Sequence, residues 1–131
     1  MSRNYSKEDD VKTRIKAIEA TTDQSILIDA AKTDNDGEVR KAAVERIEDQ
    51  SALIEIAKSD RVAEVRAAAV TSISDQRALI EIGKTDNEDI VRINAVIRIS
   101  DPILAMELAL KYIIDPDCRG LALFIIAKEM L

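Results

Sequence analysis

The chain has 131 residues, of which 47% are hydrophobic, 34% charged and 2% aromatic, and its formal net charge is −6 at pH 7. That apolar content excludes a disordered chain, and no run of about 18 uncharged apolar residues exists to cross a membrane. The lack of histidine and tryptophan, with a single cysteine, excludes disulfide scaffolds, zinc sites and histidine-based nucleophile pairs.

The acidic balance argues against a nucleic-acid partner, which needs a basic surface. The three aromatic residues, Tyr5, Tyr112 and Phe124, are too few for base stacking. The opening segment MSRNYSKEDD lacks the apolar stretch of a signal peptide, so a cytoplasmic location is expected, with no membrane partner and no cofactor. Cys118, without a histidine or second thiol, reads as a small core residue.

Residues 7–22 match the second half of a unit that recurs along the chain. Arg14 stands 26 residues before Arg40, and Ala17 stands 26 before Ala43. Three full units follow without gaps at 23–48, 49–74 and 75–100, opening DQSILIDAAK, DQSALIEIAK and DQRALIEIGK. Residues 101–131 form a degenerate fourth unit. One domain over 1–131 is expected, with atypical units capping its ends.

Each unit reads as two short helices. In the second, Asp49 is an N-cap, Ser51 to Lys58 form the first helix, and Ser59, Asp60 and Arg61 turn the chain. Val65, Ala69 and Ile73 share one face of a second helix predicted over 62–73. In the last unit, Asp101-Pro102 and Asp115-Pro116 each place a cap before a proline, predicting helices over 102–114 and 116–131. No strand pattern occurs. Such pairs are marginal alone and must stack, so the predicted fold is an all-α solenoid of antiparallel helix pairs.

Arg14, Arg40, Arg66, Arg92 and Arg119 break the amphipathic pattern by falling inside the apolar arc. A buried guanidinium needs a partner. Asp34, Asp60 and Asp86, six residues earlier at the turns, supply one within a unit or between neighbours. A ladder of inter-repeat clamps is the structural reading, and an anion site the functional one.

The pattern L-I-x-I-A-K-x-D-x(4)-V-R-x-A-A-V, clearest at 53–70, resembles HEAT-like repeats, including the short bacterial and archaeal type related to phycobilin-lyase repeats. The likeness is strong over 23–100 and weak at both ends. It implies a right-handed superhelix whose second helices line the concave face, and a protein-binding scaffold. The fourth unit departs from it, because its aspartate slot near Ile113 is apolar. A leucine-rich variant repeat is a nearby alternative, but good helix formers throughout the first helix favour α for both.

TDNDGEV at 33–39 resembles a calcium loop, but Lys32 and Ala43 stand where ligands are needed, so it reads as a polar turn. Asp29, Glu55, Glu81 and Glu107 form an acidic row, with Lys32, Lys58 and Lys84 three residues on. It reads as a solvated face with weak i, i+3 pairs rather than an acid/base site.

On the second helices, one surface changes from charged to apolar along the chain and ends in Ile90, Ile93 and Ile97. The repeat template exposes this stripe, so either the last unit folds over it or a partner covers it. The last helix is apolar all round, Phe124 included, which suggests a homodimer through 116–131. The leading expectation is a non-enzymatic module that binds a protein or peptide through Ile90, Ile93, Ile97 and Phe124. The alternative is an accessory subunit or lyase-like chaperone of an enzyme or chromophore protein, served by Cys118 and Phe124.

Overall fold

A computed structural model describes residues 7–131; Tyr5 lies outside them. Among the described residues there are nine helices and no strand. They are α1 (Lys7–Ala20), α2 (Gln24–Thr33), α3 (Gly37–Val44), α4 (Gln50–Ser59), α5 (Ala63–Val70), α6 (Gln76–Thr85), α7 (Asp89–Val96), α8 (Pro102–Tyr112) and α9 (Pro116–Glu129).

Local chemistry sets the starts. Asp23, Asp49, Asp75, Asp101 and Asp115 each accept a backbone N–H from the first turn of the helix that follows. These bonds satisfy donors with no intrahelical partner. Pro102 and Pro116 open their helices where a missing N–H costs nothing.

The second helices are shorter than their apolar periodicity predicts. α5 ends at Val70, and the chain tightens: Ser72 N–H donates to Ala69 O and Ile73 N–H to Val70 O, each at 3.1 Å. Ile73 is still fully buried. The apolar period therefore runs on through a turn of i→i+3 bonds, where the α-helix has already stopped.

α2 packs on α3, α4 on α5, α6 on α7 and α8 on α9. Between pairs, α3 packs on α5, α5 on α7 and α7 on α9, while α1 packs on α3. The result is one apolar cluster running from Ile18 to Ile126. Ala43, Ala69, Ala95 and Ala122 are all fully buried in it. At Gly83 in α6 an added Cβ would stand 3.0 Å from Val96 Cγ1 and 3.8 Å from Ala95 Cβ. Small residues are thus what lets the two helices of a pair approach. Ala17 matches Ala43 in sequence but is exposed, and among the described residues no helix precedes α1 to cover it.

Candidate functional site

The arginines of the second helices reach forward, from one pair to the next. Arg40 is bidentate to Asp60, with Nε donating to Oδ2 at 2.9 Å and Nη2 to Oδ1 at 3.2 Å. Its Nη1 donates to the backbone carbonyl of Asp34 at 2.9 Å. Arg66 repeats the geometry with Asp86 at 2.9 and 3.2 Å, and with Asp60 O at 2.8 Å. Arg14 reaches Asp34 at 3.0 and 3.2 Å, and Asp10 as well. Each aspartate also accepts the N–H two residues on: Asp36 to Asp34, Val62 to Asp60 and Glu88 to Asp86. One carboxylate thus shapes its turn and clamps the preceding helix, and the arginine spans both units.

The last units depart from the ladder expected for Arg92 and Arg119. The slot that Asp86 fills is taken by Ile113, which is buried, so no carboxylate is offered to Arg92. Arg92 turns instead to Asp89 on its own helix and to the carbonyl of Asp86. Its Nε is buried without an acceptor. Asp89 in turn accepts the N–H groups of Ile114 at 2.9 Å and Asp115 at 2.8 Å, holding the last turn in place. Arg119 is half-buried and has no side-chain hydrogen bond or ion pair among the described residues.

Two carboxyls of this network are held below the ordinary carboxylate range. Burial pushes Asp34 up, but hydrogen bonds from Arg14 and the Asp36 N–H, with the charges of Arg14 and Arg40, outweigh it. Burial also pushes Asp89 up, and the N–H groups of Ile114 and Asp115, with Arg92, outweigh it. A lowered folded pKa gives stability that is present above the unfolded value of about 3.9 and is lost as pH falls through the folded value. There is no histidine. The denaturation midpoint is therefore expected to stay level from about pH 8 to about pH 5 and to fall below about pH 4. Thermal melts across that range check this, and a midpoint already dropping at about pH 6 counts against it.

Two further sets of contacts recur along the chain. Lys32 pairs with Glu55 at 2.8 Å and Lys58 with Glu81 at 2.9 Å, so the exposed rows pair between helices and not at i, i+3. The glutamine after Asp23, Asp49 and Asp75 closes its own unit. Gln50 Nε2 donates to Ser72 O at 2.8 Å, and its Oε1 accepts the Ser74 N–H at 2.9 Å. Gln24 and Gln76 do the same to Arg46 and Glu48, and to Arg98 and Ser100. In the recurring Asp-Gln pair at 23, 49 and 75 only the aspartate is legible locally, as a helix cap.

The isoleucine stripe is corrected. Ile90 is 48% exposed, but Ile93 is 6% exposed and belongs to the core, while Ile97 is half-buried. What the second helices do present is a shallow groove of about 400 Å³. Ala67, Ala68, Thr71, Ile90 and Asn94 line it together with the charged Lys41, Glu45 and Glu64. Phe124 is 61% exposed on α9 and is not part of this groove.

Cys118 is half-buried. Partial desolvation, then the charges of Asp115, Asp89 and Asp117, push its thiol above the usual value, away from a reactive thiolate. Among the described residues no group of three His, Cys, Asp or Glu is placed to hold a metal, and no helix is long and apolar enough to cross a membrane. In comparisons with models of known families, with curated proteins and with solved structures, the chain matches none.

Proposed function

We propose that the chain is a short HEAT-like α-solenoid, a right-handed superhelix of helix pairs, that serves as a non-enzymatic scaffold. Its second helices line the concave face and hold a protein or peptide segment. The observation that carries this reading is the groove across α3, α5 and α7, where Ala67, Ala68 and Ile90 make an apolar floor beside Lys41, Glu45 and Glu64. Small side chains open the floor, and the charges give it a direction. It suits an amphipathic segment with one apolar anchor and polar flanks.

The test is selection from a displayed peptide library on the whole chain, followed by affinity measurement on variants. Peptides that bind the native chain should lose affinity at least about tenfold on Ala68→Glu and on Ile90→Glu. Ile26→Glu, at an exposed position of α2, should leave them unaffected. Peptides indifferent to both groove changes would overturn the reading.

A further inference from the structure

α9 carries a stripe that is complementary to itself. Asp117, Leu121, Phe124 and Lys128 stand at i, i+4, i+7 and i+11, one face of a helix. All four are exposed, Leu121 at 53% and Phe124 at 61%. Along the stripe the order is acid, apolar, apolar, base. Lys128 Nζ already lies 5.6 Å from the centroid of the Phe124 ring.

We propose that α9 pairs with α9 of a second copy of this chain, antiparallel across a two-fold axis between residues 122 and 123. In that register Asp117 meets the second copy's Lys128, and Leu121 meets the second copy's Phe124. A parallel pairing would set like charges against each other at both ends, so the charge order selects the antiparallel one.

Gly120 gives independent support. It sits inside α9 on the flank of the stripe, has no positive φ, and an added Cβ would meet nothing within 4 Å. A glycine there costs the helix about 1 kcal/mol relative to alanine, and nothing within the chain requires it. In the antiparallel pair it faces the second copy's Ala127, also exposed, and the two small residues allow close approach of the helices.

The stripe also continues the second-helix face, since Asp117, Leu121 and Phe124 stand 27 residues after Ile90, Asn94 and Ile97. The two sites use different residues and are separable by mutation. One pair of helices of this length covers less than the about 800 Å² per partner of a standard interface, so association in the micromolar range is expected.

Sedimentation of the whole chain from about 10 to about 500 µM tests this. The native chain should pass from monomer to dimer, and Phe124→Glu should stay monomeric with an unchanged helical signal and melting midpoint. Asp117→Lys and Lys128→Asp should each weaken the dimer at least about tenfold, and the double exchange should restore it. Ile90→Glu should leave the equilibrium unchanged, which separates failure of the groove from failure of the dimer. A monomer at every concentration, a dimer indifferent to Phe124→Glu, or single exchanges that the double one does not rescue would each overturn the proposal.

Discussion

Replacing Arg40 by alanine is expected to destabilise the fold by about 3–5 kcal/mol, the usual cost of removing one partner from a buried ion pair. The geometry places Arg40 in that class: its side chain is 2% exposed and that of Asp60 is 7% exposed. The truncation leaves a buried carboxylate with only the Val62 N–H at 2.8 Å, and takes from the Asp34 carbonyl the donor it had. For a chain this size the melting midpoint should fall by about 10–20 °C. Three comparisons make the result diagnostic. Arg119→Ala, in the same slot without a partner, should stay within about 0.5 kcal/mol. Arg14→Ala, where the side chain is 30% exposed, should lower the midpoint far less than Arg40→Ala does. The double change of Arg40 to Met and Asp60 to Leu should recover part of the loss, because it removes the unpaired carboxylate while the Asp34 carbonyl and the Val62 N–H stay without these partners. Arg40→Ala with an unchanged midpoint would refute the clamp as a stabilising element.

The sequence carried the periodic part of this arrangement and hid the part set between helices. A period of 26 residues puts an arginine and an aspartate in each unit, and helix caps depend on the first turn alone, so both are readable locally. The direction of pairing is not. The aspartate six residues back offers Arg40 only its carbonyl, and its carboxylate faces the arginine of the preceding helix. The same holds for Lys32, which reaches Glu55 across 23 positions instead of Asp29 three residues away. Glutamine at 24, 50 and 76 shows no amphipathic anomaly, so nothing in the pattern marks it as a clip. The insertion of one residue in α8, which moves its end to Tyr112, is what puts Ile113 in the aspartate slot and deprives Arg92 of a forward partner. The one-residue displacement of the fourth unit already places this slot near Ile113 in the sequence.

The misplaced stripe has a similar cause. The slot of Ile93 is filled by Lys41 in the first unit and Ala67 in the second. A lysine there suggests solvent, yet Lys41 is half-buried and Ala67 is 8% exposed. Long charged side chains lay their stems along apolar surface while the ammonium stays wet. The slot therefore lies at the edge of the core, and an isoleucine in it is drawn inside.

Ile93→Glu and Ile90→Glu should consequently behave as opposites. At Ile93 the exchange removes about 1.5–3 kcal/mol of apolar burial and adds the cost of a carboxylate among apolar neighbours, a total of at least about 3 kcal/mol. At Ile90, nearly half exposed, it should change stability by about 0.5 kcal/mol or less while weakening the peptide binding proposed for the groove. Acidity separates the two further. A carboxyl introduced at position 93 would have its folded pKa raised by desolvation, so its destabilisation is greatest above that value. Part of the loss should then return as pH falls toward about 5, before the lowered carboxyls of Asp34 and Asp89 begin to protonate. Urea titrations of the two variants between about pH 8 and about pH 5 read this directly. If Ile93→Glu is as stable as Ile90→Glu and shows no recovery in acid, position 93 faces solvent and the groove extends across it.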